Sequence, residues 1–228
     1  MSRRVEKHLP YFTVLDALQQ EEGCPFCALE DKSVRRYLGT VLGENVNDPG
    51  VRAKLVRSKG YCCRHSAILL EMDDSLGTAM LCQDQVKLVL DLLNRLEMKH
   101  RLLPRDELAG WKKREQCPAC ELQRQDRKRH VEAFVAGLGE DELRSAFEAG
   151  PGLCMPHFID AWQATKDSQA HGCLVRVQRA KMSALLADLQ ELCRKFDYRF
   201  SHEPRGKEAG SWTRAVKMLA GAGGVFQP

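Results

Sequence analysis

The tetrapeptide CPFC at residues 24–27 occurs a second time, as CPAC at residues 117–120. A longer motif behaves in the same way, because GYCCRH at 60–65 returns as GLCMPH at 152–157. The shared pattern is C-P-x-C, a spacer, and then G-x-C-x-x-H, once in each half of the chain. Two motifs that recur in the same order indicate an internal duplication.

The spacing of the motifs supports this interpretation. Thirty-four residues lie between Cys27 and Cys62, and thirty-three lie between Cys120 and Cys154. Alignment of the two copies also shows which of the two adjacent cysteines in the first copy is repeated. Cys62 aligns with Cys154, whereas Cys63 stands where the second copy has a methionine. A position that accepts methionine behaves as an apolar spacer rather than as a ligand.

Each copy predicts the same order of helices. The C-P-x-C motif opens a helical stretch, a shorter helix follows, and the G-x-C-x-x-H motif opens another. The first two helices are predicted at about 24–43 and 49–58 in the first copy, and at about 117–137 and 140–149 in the second. Asp48 and Pro49 read as a helix cap followed by proline at the first helical position.

The predicted fold is all-α, because no segment shows the period-two pattern of a strand. We divide the chain into two similar helical units, each with a C-x-x-C and C-x-x-H metal site, and a C-terminal tail with a short amphipathic helix. The predicted bounds are 1–103, 104–199 and 200–228.

A long helix closes each copy, and its apolar residues step alternately by three and four. The first stripe consists of Cys82, Val86, Val89, Leu93 and Leu96. The second consists of Met182, Leu185, Leu189, Leu192 and Phe196. We expect both stripes to face the core, because about three heptads are short for a coiled-coil dimer. Cys173 lies near the place of Cys82 in the second copy, and both are interpreted as core residues.

Three cysteines and one histidine form a complete tetrahedral ligand set for Zn²⁺. Pairs spaced i, i+3 at the start of a helix lie on one face, so two helices can close around one ion. We predict two zinc sites per chain, with the ligands Cys24, Cys27, Cys62, His65, Cys117, Cys120, Cys154 and His157. We expect each copy to build its own site, since a self-contained unit could have folded before duplication. The alternative is a cross-braced arrangement, in which Cys24 and Cys27 meet Cys154 and His157.

Other uses of a C-x-x-C pair fit the sequence less well. A thioredoxin-like pair should follow a strand, and covalent haem attachment needs histidine directly after the second cysteine, where Ala28 and Glu121 stand. Iron–sulfur clusters also take cysteine and sometimes histidine, so they stay an alternative to zinc.

The tail contains a polar stretch at 202–210 and then SWTRAVKMLAG, in which Ser211 can cap a short helix. We expect this helix to dock on the body of the protein. The alternative is a partner-binding element, in which Trp212 and Arg214 anchor the partner and further polar contacts come from Glu203, Arg205, Lys207 and Glu208.

Composition narrows the classes of function. The chain has 228 residues and 43% hydrophobic content, enough for a proper core, and it shows neither a long apolar run nor an export signal. We therefore expect a cytoplasmic protein without a membrane partner, whose ten cysteines stay reduced.

The net charge of +4 comes from residues 100–228, with 21 basic and 17 acidic side chains against 14 of each in 1–99. Nucleic-acid binding through the basic second half is possible but not favoured, because acidic residues are interleaved with the basic runs.

The chain resembles an uncharacterised bacterial domain-of-unknown-function family of about this length, with paired CPxC and GxCxxH motifs. The likeness rests on CPFC, on NDPGVR at 47–52, on GYCCRH, CPAC and GLCMPH, and on the tail around SWTRA. The resemblance implies a bacterial cytosolic protein with metal sites, and it implies no activity.

No catalytic motif is present: we find no nucleophile elbow, no phosphate-binding glycine loop and no HExxH sequence. The sequence thus favours a zinc-stabilised helical protein that acts as an interaction or regulatory module with an unidentified protein partner. The alternatives are an iron–sulfur redox protein or enzyme, and a nucleic-acid-binding protein.

Overall fold

The computed structural model describes residues 8–98, 116–200 and 202–222. Over these residues the fold is all-α and contains no strand, as the sequence predicts. The helices are α1 (Leu9–Gln20), α2 (Pro25–Gly43), α3 (Pro49–Ser58), α4 (Cys63–Glu71), α5 (Ser75–Met98), α6 (Pro118–Gly137), α7 (Asp141–Ala149), α8 (Met155–Ala164), α9 (Ser168–Phe196) and α10 (Ser211–Ala220), with a 3-10 turn at Lys207–Gly210.

Local signals explain where several helices begin. Asp48 caps α3, because its side chain accepts a hydrogen bond of 2.7 Å from the backbone N–H of Val51. Asp167 caps α9 in the same way through the N–H of Ala170. Proline occupies the first position of α2, α3 and α6, where its missing N–H has no intrahelical partner to lose.

The chain forms two compact units. Unit 1 contains Met1–Asp31 and Asp126–Pro228, and unit 2 contains Lys32–Gln125. The boundaries fall inside α2 and α6. These compact units do not coincide with the predicted repeat units, whose boundary at 103/104 lies outside the described residues, and that division of the sequence stays a prediction.

The core of unit 1 is built around aromatic side chains. Phe26, Phe134 and Phe147 are almost completely buried, and their rings meet edge to face at centroid distances of 5.4 and 5.1 Å. Tyr11 and Leu18 bring α1 onto the same core. Burial of each such side chain stabilises the fold by roughly 1.5–3 kcal/mol.

The core of unit 2 is mainly aliphatic, with Val34 and Leu38 of α2 packed against Leu55 of α3 and Leu81 of α5. An ion pair of 2.7 Å between the guanidinium of Arg52 and the carboxylate of Asp84 joins α3 to α5. Unit 2 therefore has its own packed interior.

The expectation that the α5 stripe faces the core is wrong. Four residues of the stripe are exposed and Leu96 is partly buried; the exposed ones are Cys82, Val86, Val89 and Leu93. The buried face of α5 begins one residue earlier, with Leu81 and Leu92 buried and Gln85 and Leu88 partly buried. Apolar residues occur on more than one side of this helix, and periodicity alone does not choose between the two faces.

The stripe on α9 is partly correct. Leu185 and Leu192 are buried, Met182 and Leu189 are partly buried, and Phe196 is exposed. Cys173 is buried, as predicted.

In the described part of the chain, no helix is both long enough and apolar enough to cross a bilayer.

Two candidate metal centres

The structure brings the eight predicted ligands into two groups of four. Within each group, one ligand atom from every residue lies within 4.8 Å of the other three. Site A, in unit 1, consists of Cys24, Cys27, Cys154 and His157. Site B, in unit 2, consists of Cys62, His65, Cys117 and Cys120.

Site A is formed at the start of two helices. Cys24 immediately precedes α2 and Cys27 lies in its first turn, while Cys154 immediately precedes α8 and His157 lies in its first turn. The Nδ1 atom of His157 lies 3.4, 3.6 and 3.1 Å from the sulfurs of Cys24, Cys27 and Cys154. The sulfurs of Cys27 and Cys154 are 3.7 Å apart.

Site B repeats this construction with α4 and α6. Nδ1 of His65 lies 3.3, 3.5 and 3.4 Å from the sulfurs of Cys62, Cys117 and Cys120. The sulfurs of Cys62 and Cys120 are 3.6 Å apart. All ten cysteines of the chain are free, so neither site contains a disulfide.

The expectation that each copy builds its own site is wrong, because each site combines the C-x-x-C pair of one copy with the C-x-x-H pair of the other. Helix length gives the physical reason. At about 1.5 Å per residue, α2 carries the chain about 24 Å beyond Cys27, whereas α3 spans only about 15 Å. Cys62 accordingly belongs to the same buried cluster as Val41 and Leu42, which lie in the last part of α2.

The observed distances fit a single tetrahedral ion. With zinc–sulfur bonds of about 2.3 Å and zinc–nitrogen bonds of about 2.0 Å, a tetrahedron places two sulfurs about 3.8 Å apart and a sulfur and a nitrogen about 3.5 Å apart. In the structure, the sulfurs of Cys27 and Cys154 lie 3.7 Å apart and those of Cys62 and Cys120 3.6 Å apart, and the distances from the histidine nitrogen to the sulfurs are 3.1 to 3.6 Å. The donor set and its spacing therefore suit zinc in both sites.

The thiols of site A lie so close that they compete for protons. Burial raises the pKa of the Cys24 thiol, but hydrogen bonds with Cys154 and Cys27 outweigh it and bring that pKa well below its ordinary value. The hydrogen bond with Cys24 raises the pKa of Cys154. A divalent cation removes this competition, since a bound thiol is deprotonated.

Site B shows the same competition. The hydrogen bond with Cys117 lowers the pKa of Cys62, and the hydrogen bonds with Cys117 and Cys62 raise the pKa of Cys120. Burial would lower the pKa of His65, but its hydrogen bonds with Cys117 and Cys62 raise it to about 9.

The histidine of site A has a carboxylate behind it. Nε2 of His157 lies 2.9 Å from Oε1 of Glu30, which is only 1% exposed. Arg127 donates two hydrogen bonds to the same carboxylate, the longer of them 3.0 Å. Burial would raise the pKa of Glu30, but the hydrogen bonds with His157 and Arg127 lower it. Site A thus contains a buried chain of hydrogen bonds from a ligand to an ionised carboxylate.

The histidine of site B has no such carboxylate behind it among the described residues. Nε2 of His65 is buried and has no hydrogen-bond partner among the described residues. Alignment of the two C-x-x-C motifs places Gln123 at the position of Glu30, three residues after the second cysteine. The side-chain oxygen of Gln123 accepts a hydrogen bond of 2.8 Å from Arg64.

Glu30 and Arg127 are absent from the predicted site residues. The duplication contained a signal for the first of them, because Glu30 and Gln123 each follow a predicted ligand by one helical turn. Arg127 carries no such signal, since only the packing of α6 against α2 in unit 1 brings it to the carboxylate.

The tail docks on unit 1, as predicted, through contacts of α10 with α8 and α9. Trp212 is 62% exposed. The other proposed partner contacts all interact within the chain: Glu203 with Arg194, Arg205 with the ring of Phe196, Glu208 with Lys195, and both Lys207 and Arg214 with Asp188. Their role toward a partner stays a prediction.

The remaining cysteines lie outside both groups. Cys63 and Cys193 are exposed. Cys82 is also exposed, so the prediction that it lies in the core is wrong. The separation of Cys63 from the ligand set agrees with the alignment of the two copies.

The comparisons with known proteins agree with the resemblance seen in the sequence. Residues 5–224 match the family described as "Family of unknown function (DUF6062)". A relative from Caldicellulosiruptor sp. (strain Rt8B.4), described as an uncharacterized 23.9 kDa protein in the xynA 3' region, is 27% identical over 208 residues, which cover 89% of this chain and 97% of the relative. No solved structure matches the chain significantly. The match over nearly the whole length shows that this protein belongs to the DUF6062 family.

Proposed function

We propose that the protein is a zinc-stabilised helical module of the bacterial cytoplasm that acts in interaction or regulation rather than in catalysis. The observation that carries this proposal is that each site offers four protein ligands at the spacing of one tetrahedral ion. A catalytic zinc site usually has three protein ligands and leaves the fourth position to water or substrate. A closed set of four stabilises the fold instead.

The same geometry speaks against an iron–sulfur cluster. In a cluster the ligands bind different irons, which lie apart across bridging sulfides, so the ligand atoms are spread more widely than around one ion. Here all four donors of each site lie within 4.8 Å of one another. A single thiolate-bound iron would fit this spacing as well as zinc, and metal analysis separates the two.

Charge pairing speaks against nucleic-acid binding as the main role. Many arginines of the second half are engaged by neighbouring carboxylates, which lowers the positive potential that a phosphate backbone would meet. These are Arg124, Arg127, Arg129, Arg144, Arg176, Arg194, Arg199 and Arg214. The basic run WKKRE at 111–115 lies outside the described residues.

An interaction role draws support from the tail. Trp212, Val216 and Leu219 are exposed on α10, spaced so that they share one helical face. Exposed aromatic and aliphatic side chains on a docked helix are typical of surfaces that bind other proteins.

Metal analysis of protein purified without oxygen, together with its visible absorption spectrum, tests the proposal. We expect about two zinc ions per chain and no colour. Cobalt substitution should give the intense visible bands of a tetrahedral thiolate site. Iron with sulfide and a brown spectrum would overturn the zinc assignment, and iron without sulfide would identify a mononuclear iron site. Salt-sensitive binding to a DNA or RNA duplex would favour a nucleic-acid-binding role over binding to a protein partner.

A further inference from the structure

We propose that the two centres differ in function: site A binds its ion more tightly, whereas site B exchanges zinc while site A stays filled and so makes the protein responsive to the zinc available around it. This inference rests on the proposed function, because it takes both sites to be zinc sites. It concerns what lies behind the ligands, since the ligand sets themselves are identical.

The first difference is the partner of the ligand histidine. In site A, the Nε2 atom of His157 is held by the carboxylate of Glu30, and Arg127 fixes that carboxylate in turn. An anionic acceptor on the far nitrogen orients the imidazole, fixes its tautomer and strengthens the bond from the near nitrogen to the metal. His157 is completely buried, so water does not compete for this hydrogen bond.

In site B this support is missing among the described residues. His65 is also completely buried, but its Nε2 atom has no hydrogen-bond partner there. Gln123, at the place of Glu30, carries no charge and directs its carbonyl oxygen to Arg64. An imidazole without an acceptor is a weaker donor to the metal and is less firmly oriented.

The second difference is packing on the imidazole ring. Phe26, the third residue of the first C-P-x-C motif, lies beside His157 with ring centroids 5.4 Å apart. The second motif has Ala119 at that position, which offers no ring to pack against a histidine. Two independent features therefore hold the histidine of site A and are absent around that of site B in the described residues.

Partners behind metal ligands contribute about 10- to 100-fold to metal affinity. We expect the affinities of the two sites to differ by about this factor. Over a corresponding range of free zinc, site A is filled while the occupancy of site B follows the zinc concentration. The chain then exists in a form with one ion and a form with two.

The order of zinc release tests this inference on the wild-type protein. Zinc-loaded protein is exposed to increasing concentrations of a colorimetric chelator, and free thiols are alkylated when one ion per chain has left. Peptide mass mapping then identifies the alkylated cysteines. We expect modification of Cys62, Cys117 and Cys120, with the cysteines of site A still protected. Simultaneous release from both sites, or release from site A first, would overturn the inference.

Exchange of the two residues behind the histidines tests the cause. Glu30→Gln should lower the zinc affinity of site A by about 10- to 100-fold and leave site B unchanged. Gln123→Glu should slow release from site B, because it places a carboxylate at the position that Glu30 has in the first motif. The matched control is Glu132→Gln, which removes an exposed carboxylate from α6 far from both ligand sets in sequence. An unchanged order of release in Glu30→Gln would show that Glu30 does not set the difference.

The two proposals fail in different ways. Protein that contains iron or no metal refutes the zinc assignment itself. Protein with two zinc ions that leave together retains the proposed structural role and refutes only the exchange at site B.

Discussion

Site A and site B each combine three cysteines with one histidine, yet they differ in what stands behind the histidine. In site A, Glu30 accepts from His157 and is bound by Arg127. In site B, Gln123 is bound by Arg64, and Nε2 of His65 has no partner in the part of the chain that the structure describes. A repeated ligand set therefore does not imply repeated properties, because the residues one turn away decide how firmly a ligand is held.

The largest effect is expected from removal of one ligand in each site. Cys154→Ser should reduce the zinc content from about two ions to about one, with the loss at Cys24, Cys27 and His157, since a structural zinc ion contributes about 10 kcal/mol or more to its site. Cys62→Ser should empty site B instead. Metal analysis with thiol alkylation and peptide mapping measures both. Loss of metal at Cys117 and Cys120 in the Cys154→Ser variant would contradict the cross-braced pairing.

A smaller effect is expected from truncation of the two side chains at the aligned positions Glu30 and Gln123. Glu30→Ala should lower the free energy of unfolding of the zinc-loaded protein by about 3 kcal/mol, because Arg127 loses its buried partner and His157 its acceptor. Gln123→Ala, the matched change at site B, should cost about 1 to 2 kcal/mol, since only a neutral hydrogen-bonding group is removed. Urea denaturation of the two variants provides the comparison. Equal losses would show that the carboxylate has no special role.

The smallest effect concerns the tail, which contacts site A through the backbone of Ala222. Hydrogen bonds from Lys195 and from the backbone N–H of Gly206 lower the pKa of Glu208 to about 2. A lowered pKa stabilises the fold above the ordinary value of 4.5, and this contribution is lost as the pH falls from 4.5 toward about 2. Glu208→Gln should therefore be less stable than wild type near neutral pH, and the difference should shrink over that range.

Denaturation of wild type and Glu208→Gln at several pH values measures this effect. The zinc ligands are the same in both proteins, so the change of the difference with pH reports mainly on the carboxylate of Glu208. The backbone N–H of Ala222 lies 3.4 Å from the sulfur of Cys27, and a loosened tail should speed zinc release from site A slightly. Faster release from site B in the same variant would contradict the assignment of the tail to site A.

Most of the fold could be predicted because its signals are local. The start of α3 at Pro49 follows from the aspartate cap and the proline, and the starts of α2 and α6 follow from the prolines of the C-P-x-C motifs. The buried face of α5 could not be predicted, because Val86, Val89 and Leu93 form as regular a stripe as the residues that are buried. Periodicity reports that a helix is amphipathic, but only the neighbouring helices select the face that is covered.

The amino-acid order therefore establishes the duplication, the helical class and the identity of the eight ligands, since each of these depends on spacing along the chain. The pairing of the ligands, and the place of Glu30 and Arg127 behind only one histidine, depend on where long helices end in space. The 19 residues of α2 and the 20 of α6 carry the chain away from the motif at their start, and each C-x-x-C pair meets the C-x-x-H pair of the other copy. The distances that helix length and packing set decide which side chains form one ligand group. A pattern along the sequence does not contain these distances.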